Sequence, residues 1–319
     1  MKPSLPFAIA TATTLLALSA PVPGQDTFES LAEQALSRLA ERVPSARSVG
    51  PLLPPMQAEA VAGALPEGVF IGVDDATVPA YVVDPATAGA TAVASGVQIW
   101  GAAYVPGPGA GLIFSNNGAQ LNVSLGGAAP TACCTLSIDG VAGASMTGMA
   151  WDPQQQRLLF SRNIAPESIF ALPYSADLCT AAPLCTVTPV VAPDGAVADL
   201  GGLAFAPDRA TLYASNDTAA LRGIVSVDLG SGGLSVVAPY PGGQTDIDGL
   251  AYHAGRLYLV TDEPGDIFVY DLDAAAYVAP LANPWTTAEV FSAGAFIGFD
   301  TIFANGFDLP PVAVPTDAP

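Results

Sequence analysis

The chain has 319 residues, 51% of them apolar and 12% charged, with 29 Asp plus Glu against 9 Lys plus Arg and a formal charge of −20. That balance disfavours nucleic acid and anionic lipid as partners, and the length is ample for a large core. The 32 Gly and 30 Pro punctuate many short β-branched and small-residue runs, which favours an all-β protein over a helical one.

In chain order, Met1-Lys2 precedes an apolar run from Phe7 to Ala20 that Pro21-Val22-Pro23-Gly24 breaks. This pattern predicts a signal peptide over residues 1–24, and hence a secreted or periplasmic protein. The run is too short for a comfortable membrane span, so none is expected once the leader is cleaved. Residues 25–65 read as a helical extension and a Pro-rich linker. Phe28, Leu31, Ala35 and Leu39 form a stripe at helical spacing, with Asp26 or Thr27 as the cap.

From residue 66 to 305 one phrase returns: a glycine-bearing apolar stretch, a turn, a second apolar strand, then Asp or Asn. The glycines chosen are Gly101, Gly148, Gly202, Gly249 and Gly298, which are 47, 54, 47 and 49 residues apart. Such a period is one four-stranded blade of a β-propeller. The second strands are expected at Val69–Val73, Leu112–Asn116, Leu158–Arg162, Thr211–Asn216 and Leu257–Thr261. The third strands are expected at Ala80–Asp84, Leu121–Leu125, Ile169–Leu172, Ile224–Asp228 and Ile267–Asp271. The first set lacks an innermost strand and the last phrase has no strands after it, so the C-terminal strand is expected to complete the N-terminal blade. The expected fold is therefore a five-bladed propeller without an open edge, followed by a flexible tail at 306–319. A side chain at the glycine positions would collide with neighbouring backbone.

Four cysteines in an exported chain predict disulfides. The favoured pairing is Cys179–Cys185, closing a small loop, with the adjacent Cys133 and Cys134 bridging each other or staying reduced. The alternative is that the two pairs, late in neighbouring repeats, cross-link adjacent outer strands.

Phrases such as Tyr81-Val82-Val83-Asp84-Pro85-Ala86-Thr87-Ala88-Gly89 and Leu212-Tyr213-Ala214-Ser215-Asn216-Asp217 resemble repeats of secreted bacterial propellers of the NHL, YVTN and gluconolactonase-like superfamilies. The tail Phe303-Ala304-Asn305-Gly306-Phe307-Asp308 is similar to endings of exported proteobacterial proteins. Gluconolactonase-like enzymes hold a catalytic cation with acidic or amide residues just before the inner-strand glycine. The matching places here are Trp100, Thr147, Gly201, Asp248 and Ile297. Only Asp248 is a strong ligand, so the resemblance argues against that activity.

Candidate chemistry gathers at the face where second strands end. Asp74, Asn117, Asn163, Asp217 and Asp262 recur there, although Asp and Asn also serve tight turns. The sharpest cluster is Asp246, Asp248, Asp262 and Glu263, four carboxylates suited to a hard cation such as Ca²⁺. The sole histidine, His253, falls on the opposite face, so no Ser-His-Asp set forms there. Tyr104, Trp151, Phe205 and Tyr252 share one repeat position and read as packing between blades. Trp285 lies outside that register and is the aromatic expected to touch a ligand.

The resulting reading is an exported binding or interaction module with Ca²⁺ as the expected ion. Its partner would be an extracellular protein, a carbohydrate or a small ligand. A metal-dependent hydrolase of lactonase or phosphoesterase type is the alternative, and a passive envelope or matrix component the second alternative.

Overall fold

A computed structural model describes residues 65–106, 111–124, 130–162, 164, 167–175, 177–181, 183–261, 265–282 and 291–298. All of these belong to one unit, Leu53–Pro319. The expected signal peptide, helical extension and C-terminal tail lie outside the described residues, apart from Leu65.

The strands come in groups. The first group is β1 (Gly68–Val73), β2 (Ala80–Val83) and β3 (Ala90–Ala94). The second is β4 (Ile99–Val105), β5 (Gly111–Asn116), β6 (Gln120–Ser124) and β7 (Thr131–Ile138), with the short β8 (Val141–Ala142) beside β7. The third is β9 (Met146–Asp152), β10 (Arg157–Arg162), β11 (Ile169–Pro173) and β12 (Leu184–Val191), with a single helical turn, α1 (Leu178–Ala181), between the last two. The fourth is β13 (Leu200–Ala206), β14 (Thr211–Asn216), β15 (Gly223–Val227) and β16 (Leu234–Ala238). The fifth is β17 (Gly249–His253), β18 (Arg256–Val260), β19 (Phe268–Asp271) and β20 (Ala276–Tyr277). The last described strand is β21 (Phe291–Ile297).

Within each group the strands pair antiparallel in sequence order. β21 joins the first group by pairing with β1, from Gly68 opposite Ile297 to Val73 opposite Phe291. The inner strands touch in succession: β4 packs against β9, β9 against β13, β13 against β17, β17 against β21, and β21 against β4. Second strands such as Leu158-Leu159-Phe160 are buried on both faces, which is why they read as continuous apolar runs rather than alternating ones.

The last inner strand departs from the expected register. Its sequence, Phe291-Ser292-Ala293-Gly294-Ala295-Phe296-Ile297, aligns through its aromatic with Ile99-Trp100-Gly101-Ala102-Ala103-Tyr104-Val105. Ala293 therefore takes the glycine's place, Ser292 the position before it, and Gly298 lies just past the strand. The expected phrase at Ile297-Gly298 was shifted because Gly298 fits the repeat spacing while the true register position is held by alanine.

Elsewhere the crowding is as expected. A Cβ on Gly101 would lie 2.2 Å from the Thr147 carbonyl oxygen, and one on Gly148 would lie 2.2 Å from that of Gly201. Buried second-strand hydroxyls hold the inner strands at this level, Ser161 across two groups and Ser215 within its own. Ser161 Oγ accepts from the Gly148 N–H at 2.8 Å and donates to the Gly201 carbonyl at 2.6 Å. Ser215 Oγ accepts from the Gly202 N–H at 2.7 Å. Ser161→Ala leaves two buried backbone groups unpaired, so it should cost about 1–3 kcal/mol, read by chemical denaturation.

The disulfides correct the favoured pairing. Cys133 is bonded to Cys179 and Cys134 to Cys185, so the cross-linking alternative is the one found. The reason is topological. β12 runs parallel to β7, with Leu184 opposite Thr135 and Val187 opposite Ile138, which brings the outermost strands of two groups side by side. The second and third groups thus form one continuous sheet.

Candidate functional site

The acidic face is built where inner strands begin and second strands end. Asp217 follows β14, and Asp246 and Asp248 lead into β17. One oxygen from each lies within 4.8 Å of the others. Asp217 and Asp248 are partly buried and Asp246 is exposed. The Tyr240 hydroxyl donates to Asp217 Oδ1 at 2.8 Å, and the Asp217 N–H donates to the Asp199 carbonyl at 2.9 Å. Burial, reinforced by the charges of Asp246 and Asp199, pushes the Asp217 carboxyl up to about 7 against the opposing Tyr240 bond. The arrangement concentrates negative charge that a cation would relieve.

A second carboxyl on this face had no signal in the sequence. Glu167 precedes β11 and is only 6% exposed. Burial first, then Asp199, pushes its carboxyl up to about 7, with the Leu200 amide and Arg162 acting in the other direction. Glu167 Oε2 and Arg162 Nε have no hydrogen-bond partner among the described residues. Asp199 is the neighbour that Glu167 and Asp217 share.

The remaining expected residues divide by chemistry. Asp74 Oδ1 accepts from the Trp100 indole N–H at 2.6 Å, joining two groups. Asn117 adopts φ 51° in the β5–β6 turn, and its N–H donates to the Gln98 carbonyl at 2.9 Å. Both are therefore in structural use. Asn163, Asp262, Glu263 and Trp285 lie outside the described residues. Among the amides, Asn216 does the work of a turn anchor: its Oδ1 accepts from the Asp199 N–H, and its Nδ2 donates to the Val197 and Leu221 carbonyls.

At the other ends of the inner strands lies a well of about 320 Å³. Tyr104, Trp151, Phe205, Tyr252 and Phe296 line it, one from each inner strand. Each also packs against a different cluster of buried apolar residues. The expected packing role therefore coexists with a lining role that repeat position alone did not reveal.

Apart from short helical turns, the described residues are all-β. No protein-family model matches it, and no curated protein does. Solved structures similar to it include a nidogen/laminin complex, at 12% identity and a TM-score of 0.48, covering 72% of this chain and 98% of that one. A gluconolactonase, XC5397 from Xanthomonas campestris, is 15% identical with a TM-score of 0.46, covering 78% and 91%. TolB from Acinetobacter baumannii is 12% identical with a TM-score of 0.44, covering 73% and 67%. At these values no activity, ligand or partner carries over. No described helix is long and apolar enough to cross a membrane.

Proposed function

We propose that the chain is an exported five-bladed propeller that acts as a binding module and holds a divalent cation, Ca²⁺, at its acidic face. The observation that carries this reading is the convergence of Asp217, Asp246 and Asp248, whose oxygens lie within 4.8 Å of one another. Two oxygens on opposite sides of one Ca²⁺ stand about 4.6–5.2 Å apart, so the three match the spread of a shared ion. The succession of inner-strand contacts and the β1–β21 pairing support five blades. Two disulfides and the leader-like run at Phe7–Ala20 support export.

The test is calcium titration of chelator-treated protein followed by thermal unfolding at pH 8 and pH 5. Without an ion, the raised carboxyl of Asp217 makes the folded state bind the extra proton, so its contribution to stability declines as pH climbs from about 4 through about 7. Calcium needs the ionised form. It should therefore raise Tm at pH 8 and raise it less at pH 5, and Asp248→Asn should remove most of the shift. An unchanged Tm at pH 8 would sink the reading.

Glu167 favours a second reading, a metal-dependent hydrolase of lactonase or phosphoesterase type. A buried carboxyl that titrates near neutrality suits an acid or base, and Asp199 links it electrostatically to the Asp217 cluster. Under this reading Glu167→Gln abolishes hydrolysis of a lactone or phosphoester panel and leaves calcium binding intact.

A further inference from the structure

The well at the opposite ends of the inner strands has no part in the acidic-face chemistry. Its walls are alanine, glycine and the larger apolar Met149, Leu203 and Leu250 from the inner strands, and it is ringed by the five aromatics, all partly buried. No Lys or Arg lines it among the described residues. The charged group at the rim is Asp208, whose Oδ1 accepts from the Tyr252 hydroxyl. Arg209 nearby pairs with Asp273 and also bonds the Tyr252 hydroxyl, so its guanidinium is balanced by Asp273 and Asp208 together. The imidazole of His253 lies flat on Phe296, with centroids 3.8 Å apart and planes within 4°, so it extends the aromatic surface.

We propose that this well binds a small organic cation of the quaternary ammonium type. Aromatic faces carry the negative lobe of the ring quadrupole and attract a cation placed over them. Asp208 places a carboxyl group at the entrance, and the chain's formal charge of −20 favours the approach of cations. A hard metal ion does not suit the same space, because methyl and methylene walls offer no oxygens to replace its water. A quaternary ammonium is weakly hydrated and apolar at its surface, so it loses little on entering. A cavity of about 320 Å³ holds such a molecule in part-enclosed form.

The experiment is titration calorimetry of the full chain with choline and with 3,3-dimethylbutan-1-ol, which has the same shape without the charge. Choline should bind about tenfold more tightly than the alcohol. Asp208→Asn, at an exposed position, should weaken choline with Tm unchanged. Trp151→Phe, which keeps a ring but one with a weaker quadrupole, should weaken it about threefold, with circular dichroism confirming the fold. Equal affinity for the two probes, preference for the alcohol, or no binding of choline by folded protein would each overturn the proposal. Because the calcium test reads the other face, either result can fail without the other.

Discussion

Gly148→Ala is expected to prevent folding or to cost more than about 4 kcal/mol, placing it among the exceptional single substitutions. The new Cβ would stand 2.2 Å from the Gly201 carbonyl oxygen, 2.5 Å from Ser161 Oγ and 3.0 Å from the Leu203 nitrogen. Two of those three atoms are backbone of the next inner strand, so no change of rotamer clears the space. Relief requires β9 and β13 to move apart, and each of these strands also packs against a further inner strand. Gly195→Ala is the control, because a Cβ there meets nothing within 4 Å. It should stay within about 0.5 kcal/mol of the parent. Expression, circular dichroism and urea denaturation of the two variants decide the matter. A Gly148→Ala protein as stable as the parent would mean that the inner strands are not packed as described.

Removing the inner of the two disulfides should also destabilise the fold. Cys134–Cys185 joins residues 51 apart in sequence, but with Cys133–Cys179 intact it closes a further loop of only about eight residues in the unfolded chain, worth about 2–3 kcal/mol in the chain-entropy account. Cys134 and Cys185 are 3% and 5% exposed. Cys134→Ala with Cys185→Ala therefore also loses buried sulfur contacts, and a fall in denaturation midpoint is expected. Peptide mapping under non-reducing conditions supplies the independent check. It should yield Cys133 linked to Cys179 and Cys134 linked to Cys185, whereas a Cys133–Cys134 linkage would contradict the parallel pairing of β7 with β12.

Much of the strand plan was legible because burial and spacing write it directly into the chain. Tyr213 and Phe160 stand where continuous apolar runs put them, and the Asp84 and Asp228 turns repeat the same hydrogen bonds. In one, Asp84 accepts from the Ala86 N–H and the Thr87 hydroxyl; in the other, Asp228 accepts from the Gly230 N–H and the Ser231 hydroxyl. Asp246 and Asp248 were singled out by proximity in sequence. Asp217 was noted only as one of a recurring set, and its place beside them depends on how β14 and β17 sit in space. Glu167 was invisible because its significance is burial of an acid between two strands, which leaves no periodic trace. The disulfide pairing failed for a related reason: short sequence separation favoured Cys179–Cys185, while the actual partners are chosen by a parallel strand contact that no local pattern encodes. The register of β21 slipped because Gly298 fits the repeat spacing, whereas alignment through Phe296 puts Ala293, not a glycine, at the repeat position.

The hydrogen-bonded seam between β1 and β21 also orders events in time. A chain that emerges N-terminus first presents β1 with one bare edge until the last described strand has followed all the others. Completion then waits on the meeting of two segments at opposite ends of the sheet array, a step whose entropy cost makes it slow. Until it occurs, the bare edge of the first strand is the place where intermolecular pairing threatens.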